Sequence, residues 1–395
     1  MSKSNETTPN VPTLRFAEYT DEWHKYALSD FVTRITRRNK NNESSLPLTI
    51  SAQYGLVDQI TFFNKTVASV DLSGYYLLYN GDFAYNKSYS NDYAWGAVKR
   101  LDKYEKGCLS SLYFVFRPTD KVDSDYLAHY FETNKWHKGI SDIAGEGARN
   151  HGLLNMAVDD YFATKHYLPS LSEQKKIACF LNLITKRIEI QNKIISDLKV
   201  LKKELCNKVF SKGSAVRLGD FIEEVTTRNK SNSCENVLSV SNKMGFIKQS
   251  EQFEDRTVAS ENKSNYKVVT EGCFAYNPAR INVGSIALLS TYKIGIISPM
   301  YVCFKTKSAL DSEYLNFYYQ SGFFYKELQK KLEGSVRQCL TYENMSEILI
   351  PYVGIEEQKA IATTLNKFAT LIANEEKYLK SLQKQKSYFL SAMFI

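Results

Sequence analysis

No Cys-x-x-Cys pair occurs in the 395 residues, although seven cysteines are scattered from Cys108 to Cys339. An odd count without pairing spacing excludes a disulfide framework and a zinc knuckle, and fits reduced thiols in a cytoplasm. No apolar run approaches the roughly 20 residues that a bilayer-spanning helix needs. Met1 to Asn10 is polar, without the apolar core of a signal peptide. The expectation is a soluble cytoplasmic protein with no membrane contact. Phosphate-binding loops are missing as well: there is no Gly-x-x-x-x-Gly-Lys-Ser/Thr, and no Gly-x-Gly-x-x-Gly follows a strand. His-Glu-x-x-His is absent, and the five histidines all fall between His24 and His166. No metal set and no cofactor is therefore expected, and the chain reads as non-catalytic. Long Gly/Ser-rich or Pro-rich linkers are also lacking, so its parts are expected to be rigidly joined.

What is present is a duplication. Leu168-Pro169 through Ala178 returns as Ile350-Pro351 through Ala362, and from Leu171 and Ile355 onward the offset is a constant 184. Arg38-Asn39-Lys40 matches Arg228-Asn229-Lys230 at 190. Phe83-Ala84-Tyr85-Asn86 matches Phe274-Ala275-Tyr276-Asn277 at 191, and Asp123 to Leu127 matches Asp311 to Leu315 at 188. Arg149 falls on Arg337, also at 188. The drifting offset means small insertions between fixed landmarks.

Each copy ends in a heptad run. The first carries Ile177, Leu181, Ile184, Ile188, Ile195, Leu198 and Leu205; the second carries Ile361, Leu365, Phe368, Ile372, Leu379, Leu382 and Phe389. Polar breaks coincide, Gln191 with Glu375 and Lys202 with Lys386. Seven-residue spacing over about four heptads predicts a coiled-coil seam, and roughly 38 helical residues would extend about 57 Å. Two such seams in a chain repeated once favour an antiparallel pair. Aromatic and β-branched runs such as Tyr75 to Tyr79, Leu112 to Phe116 and Met300 to Phe304 predict strands, while Ser124 to Asn134 and Ser312 to Leu332 have helical spacing.

The fold class is therefore α+β: two globular domains and two long helices, with an internal pseudo-two-fold repeat. Boundaries fall at a tail and lead-in over 1–23, a first domain over 24–168, a helix over 169–212, a second domain over 213–350 and a second helix over 351–395. Within the first segment, Met1 to Val11 reads as a disordered tail.

The net charge of +8 is weak evidence for nucleic acid, because the helices hold most of it: nine basic against four acidic residues over 172–210, and six against four over 356–395. Any basic contact surface elsewhere must be local. The two copies differ most after Phe-Ala-Tyr, where Asn86, Lys87, Ser88, Tyr89 and Tyr93 stand against Asn277, Arg280 and Asn282. Arg and Lys can grip guanine edges and Asn adenine, so divergent loops of this kind on a repeated scaffold suit sequence readout. Arg37, Arg38, Lys40, Arg228, Lys230, Arg149 and Arg337 are candidate DNA contacts of either the phosphate or the base kind. Gly145-Glu146-Gly147-Ala148 reads as a turn, since its counterpart lacks the glycine pair.

Four motifs resemble one known family. They are Leu14-Arg15-Phe16 with Thr20-Asp21-Glu22-Trp23, Gly81 to Ser90, Asp123 to Leu127, and Leu168-Pro169-Ser170-Leu171-Ser172-Glu173-Gln174-Lys175-Lys176-Ile177. Over Thr13 to Ile395 the chain resembles the specificity subunit of type I restriction–modification systems, from a bacterial or archaeal host. The resemblance implies two target recognition domains, two conserved helices running antiparallel, and binding to a split sequence in double-stranded DNA. It also implies partners, two methyltransferase subunits and restriction–translocase subunits, that carry out adenine methylation and ATP-driven cleavage. One departure is Ala27-Leu28-Ser29, where the second copy has Arg217-Leu218-Gly219. The alternatives are a stand-alone DNA methyltransferase or nuclease, which would need a cofactor or metal constellation, and a coiled-coil scaffold without nucleic acid, which would leave the divergent loops unexplained.

Overall fold

The computed structural model describes residues 10–65, 67–90, 92–145, 152–242, 244–252, 263–332 and 339–395. The chain divides into two compact units, Met1–Gln191 with Tyr378–Ile395, and Asn192–Lys377. Both boundaries fall inside long helices, so each unit contains one half of each.

Unit 1 runs β1 (His24–Ala27), β2 (Val32–Arg34), β3 (Leu48–Ser51), β4 (Gly55–Asp58), α1 (Gln59–Phe63), β5 (Tyr76–Tyr79), β6 (Phe83–Asn86), β7 (Ala97–Arg100), β8 (Lys106–Leu109) and β9 (Phe114–Pro118). Then come α2 (Ser124–Tyr130), α3 (His137–Ile143), α4 (Val158–Ala163), β10 (Lys165–Leu168) and the 40-residue α5 (Leu171–Phe210). Its central sheet has the order β2-β9-β6-β7, all neighbours antiparallel, and β1 pairs β10.

Unit 2 repeats the plan with β11 (Ser214–Arg217), β12 (Ile222–Glu224), β13 (Val237–Ser241), β14 (Gly245–Lys248), α6 (Gln249–Gln252), β15 (Lys267–Thr270), β16 (Cys273–Tyr276), β17 (Ile286–Leu288), β18 (Ile294–Ile297) and β19 (Val302–Thr306). These are followed by α7 (Ser312–Tyr319), α8 (Gly322–Lys331), α9 (Tyr342–Ser346), β20 (Leu349–Tyr352) and the 38-residue α10 (Ile355–Ala392). The sheet β12-β19-β16-β17 corresponds strand for strand, and β11 pairs β20.

Alternation along the central strands builds two cores in each unit, because successive side chains leave a strand on opposite faces. Phe83 and Tyr85 of β6, with Phe114 and Phe116 of β9, enter the core under the helices, whereas Ala84 and Val115 enter the other. Phe274 and Tyr276 separate from Cys273 and Ala275 in the same way. The cross-strand pairs stack alike, Phe83 on Phe116 at 5.5 Å and Phe274 on Phe304 at 5.1 Å. Gly107 and Gly295 are matched close approaches: a Cβ there would stand 2.5 Å from Leu48 Cδ1 and 2.4 Å from Leu238 Cδ1.

Some local readings shift. Asn10 and Val11 are held rather than disordered, because the Trp23 amide donates to Asn10 O at 2.9 Å and Trp23 is buried. The helical run from Ser312 breaks in two where the Ser321 side chain accepts from Phe324 N and caps α8 anew. Ala27-Leu28-Ser29 and Arg217-Leu218-Gly219 lead into the same one-turn helix, at Leu28–Asp30 and Leu218–Asp220. Gly219 is needed in its copy, since a Cβ would meet that of Ser346 at 2.8 Å.

The glutamine at each long-helix start has a structural task. Gln174 is buried, accepts from Asp123 N at 2.8 Å and donates to Pro169 O at 3.0 Å. Gln358, also buried, accepts from Asp311 N at 2.8 Å and donates to Val353 O and Ala309 O. The amide thus ties the first turn of α5 or α10 to the start of α2 or α7, which suits Gln because only an amide both donates and accepts there. Glu173 is buried too and takes a two-point ion pair from Arg15 at 2.7 and 2.8 Å.

The helices pair antiparallel inside each unit. In unit 1 Phe180 of α5 meets Phe389 of α10 edge-on at 4.9 Å, and Arg187, further along α5, meets Tyr378, further back along α10. In unit 2 Lys199 pairs Glu376 at 2.6 Å, and Leu205 packs into the core that contains Leu365. Ile177, Leu181, Ile195, Leu365, Ile372 and Leu382 are buried, while Ile184, Ile188, Leu198, Leu205, Ile361, Phe368, Leu379 and Phe389 are half-buried.

Each unit is completed by the far end of a helix. Phe210, the last residue of α5, packs on Tyr314 and Tyr318 of unit 2 at 5.2 and 5.6 Å. Phe394, just past α10, packs on the matching Tyr126 and Tyr130 of unit 1 at 5.2 and 6.0 Å. The lead-in then joins the chain's two ends, with Leu14 N donating to Ala392 O at 2.9 Å.

Candidate nucleic-acid interface

The loop after β6 is a built structure. Asn86 Oδ1 accepts from Ser88 N at 2.9 Å, Leu154 N donates to Lys87 O at 2.9 Å, and Tyr89 N donates to Gly152 O at 3.1 Å. Its return is fixed by Gly96, at φ +77°, where a Cβ would fall 2.1 Å from Asn86 O. Tyr85 Oη closes the base by donating to Trp95 O at 2.9 Å. Lys87 is not a free cation: its Nζ lies 4.7 Å above the Phe114 ring, and burial pushes its ammonium below the usual lysine range. Ser88 and Tyr93 are exposed, and Tyr89 is half-buried.

The matching loop in unit 2 shares one of these anchors, the leucine amide, around a different middle. Leu340 N donates to Pro278 O at 3.2 Å, where Leu154 holds Lys87 in the first copy, and Tyr276 Oη donates to Thr341 O at 3.0 Å. Asn277 Oδ1 accepts from Ala279 N at 3.1 Å, starting a one-turn helix over Ile281–Val283 that Gly284 ends at φ +88°. Ile281 is buried beneath it, Asn282 is half-buried, and Arg280 projects from the rim. Among the described residues the Arg280 guanidinium has no hydrogen-bond, ion-pair or ring partner.

The Arg-Asn-Lys repeat resolves into three tasks. Asn39 and Asn229 are buried and each clamps a tight loop, Asn39 by exchanging bonds with Ser44 at 2.9 and 3.1 Å, Asn229 with Cys234 at 3.0 and 3.2 Å. Arg38 donates to Gly74 O and stacks on Tyr76 at 4.2 Å, and Arg228 donates to Asn265 O. Lys40 and Lys230 are exposed.

Arg37 is more firmly committed. It donates to Leu77 O at 2.9 Å and to Asp82 at 2.7 Å, and lies 4.3 Å over the Tyr79 ring. Arg117 takes the other oxygen of the fully buried Asp82 at 2.6 Å, and Tyr79 N donates to it at 2.8 Å. Two cations on one carboxylate leave a positive excess, and Arg34, Arg37 and Arg117 line an open groove of about 470 Å³ with Thr33, Thr36 and Thr119.

Arg149 and Arg337, like the glycine-flanked stretch 146–148, lie outside the described residues. The roles of Asp82, Asn39, Asn229, Gln174 and Gln358 escape a residue-type reading. For all but Asp82 the signal was there, a polar side chain repeated at the fixed offset without an obvious surface reason. Among the described residues no three His, Cys, Asp or Glu side chains gather as a metal site, and no helix is long and apolar enough to cross a membrane.

Residues 214–384 match the family described as "Type I restriction modification DNA specificity domain". Two relatives come from Methanocaldococcus jannaschii. The type I restriction enzyme MjaVIII specificity subunit is 25% identical over 327 residues, 73% of this chain and 74% of that protein. The putative MjaX specificity subunit is 26% identical over 302 residues, 71% and 69% of the two. In fold the chain is similar to the type I restriction–modification S subunit from M. genitalium, with TM-score 0.56 and 14% identity over 98% of this chain and 99% of that one. A chain of a type I R-M system solved for complex assembly and conformational transition gives TM-score 0.53 at 16% identity, covering 93% and 96%.

Proposed function

We propose that this chain, which belongs to the type I restriction–modification specificity subunits, is the part of such a complex that reads a bipartite, asymmetric DNA sequence and does no chemistry itself. Two methyltransferase subunits and the restriction–translocase subunits are its partners, and double-stranded DNA is its ligand. One observation carries the reading. The same motif, Phe-Ala-Tyr-Asn, launches a loop in each unit that is pinned by a matching leucine amide, Leu154 N on Lys87 O or Leu340 N on Pro278 O, yet one loop presents Ser88 and Tyr93 and the other presents Arg280, which has no partner among the described residues. A duplicated scaffold with different exposed chemistry at one place is what two different half-sites require. Phosphate contacts fall to Lys40, Lys230, Arg228 and the arginine groove of unit 1, and base contacts to the two loops.

The test is a domain exchange in the assembled methyltransferase, read by sequencing the methylated adenines. Replacing Leu28 to Tyr167 with the first domain of another specificity subunit should rewrite one word of the target and leave the other and the spacer unchanged. A change in both words overturns the two-reader arrangement. Methylation of DNA by the isolated polypeptide overturns the non-catalytic assignment.

A further inference from the structure

Unit 2 has a cleft of about 750 Å³ between the β13–β14 turn, the one-turn helix after Arg280 and the junction of α7 with α8. No described residue lining it carries a charge. Four primary amides line it, those of Asn242, Asn282, Asn316 and Gln320, and among the described residues none of these side chains has a hydrogen-bond partner. Asn242 and Gln320 are exposed, whereas Asn282 and Asn316 are half-buried. Exposed Met244 and Tyr325 supply apolar surface at the mouth.

Amides without a partner among the described residues, lining a cleft whose described walls carry no charge beside a candidate DNA loop, have a specific chemical meaning. A phosphate would demand cations, and the described residues of the walls hold none. Base edges demand a donor and an acceptor side by side, which Asn and Gln present in the fork that suits adenine. Thymine methyls would find Met244 and Tyr325. The first unit does not share the set: Ala52, Ala128 and Glu132 stand where unit 2 has Asn242, Asn316 and Gln320, and Glu132 is bound to Lys386 at 2.8 Å. The feature therefore belongs to one half of the target. We infer that this cleft reads base edges in the second word through the amides of Asn242, Asn282, Asn316 and Gln320, with Arg280 at its rim. The inference rests on the DNA-reading function proposed above.

The experiment uses the full methyltransferase complex carrying Asn242→Ala, Gln320→Ala or Asn316→Ala, with methylated sites mapped by sequencing and binding to a panel of single-base variants measured at several salt concentrations. Each variant should relax one or two positions of the second word, roughly 5- to 150-fold in discrimination. The first word and the salt slope should stay at wild-type values, because no charge is removed. Exposed Asn242 and Gln320 carry the test even if Asn316→Ala lowers the melting temperature. Unchanged discrimination in both exposed variants overturns the cleft as a reader. So does uniform weakening with a flatter salt slope, which marks a phosphate contact, or loss of subunit assembly, which marks a protein contact. A wild-type complex without any bipartite preference would instead remove the proposed function, and the cleft assignment with it.

Discussion

Unit 1 buries a charge where unit 2 buries a thiol. Asp82, saturated by Arg37, Arg117 and Tyr79 N, occupies the position of Cys273, and Arg117 corresponds to Lys305, which bonds Thr270 Oγ1 at 2.7 Å. His166, buried between Tyr130 Oη and Thr164 Oγ1 at 2.8 Å each, stands where unit 2 has the buried Ile350, because strand register (His166 opposite Tyr26, Ile350 opposite Val216) moves the match of Leu168 from Ile350 to Tyr352. Lys386 answers Glu132, while the matching Lys202 lies over the Phe317 ring at 5.1 Å. Strand order, capping aspartates and helix latch survive duplication because each fixes the backbone. The polar partners under the sheet diverge in pairs, since a buried charge is tolerated only with its counterion. One scaffold has thus acquired two electrostatic interiors.

The strongest way to break the comparison is to remove the helix end that completes each unit. Phe394→Ala should destabilise unit 1 and Phe210→Ala unit 2, each by about 3–5 kcal/mol. All three tryptophans, Trp23, Trp95 and Trp136, lie in unit 1. Tryptophan fluorescence during denaturation should therefore report the first loss and hydrogen exchange in α7 the second. Equal effects of both variants on both signals would show the units to be one cooperative block.

Acid should separate them next. Burial pushes the His166 imidazole down to about 4, below its usual value near 6.5. A folded-state pKa below the unfolded one means that the unfolded chain binds the proton first. His166 stabilisation is therefore complete above about pH 6.5 and is lost as pH falls toward 4, by about 3 kcal/mol at most. Tryptophan-detected stability should drop over that window, and His166→Gln should flatten the drop. Glu132 resists in the same range: burial opposes its ionisation, but His129 and Lys386 outweigh it and hold its carboxyl at about 2.

The latches give a smaller effect. Gln358→Leu removes three bonds and Gln174→Leu two, so the former should cost more, each in the range of about 1–3 kcal/mol per buried group left unpaired. Chemical denaturation of the two variants checks the order. Smallest in stability is Arg280→Ala, which should leave the melting temperature unchanged and relax the second word by about 1–3 kcal/mol. Arg37→Ala should do the reverse, loosening unit 1 through the half-paired Asp82. Sequencing of methylated sites beside thermal melts distinguishes the two.

Much of this was legible in the chain alone, and the reason is local. Heptad spacing selects the inward rows of α5 and α10 whatever they pack against, alternation divides Phe83 and Tyr85 from Ala84, and Asp123 and Asp311 announce their helices by capping them. Repetition then identified the landmarks without any partner being known. The candidate interface was legible only as a list of exposed-type residues. Lys87, Arg37 and Arg38 look free in sequence, yet each spends its charge on a ring, a carbonyl or a buried carboxylate contributed by another strand or loop.

The sequence by itself determined the duplication, the α+β alternation, the two long helices and the place where the two copies part company. These follow from periodicity and from comparing the chain with itself. Tertiary structure alone decided that Phe394 completes unit 1 as Phe210 completes unit 2, that Gln174 and Gln358 are latches, and that Arg37 is held by Asp82. Each of those outcomes depends on a partner brought close by folding, from 45 residues away for Arg37 to more than 260 for Phe394. A side chain's type states what it can bond, and only its buried neighbours settle whether that capacity is already used.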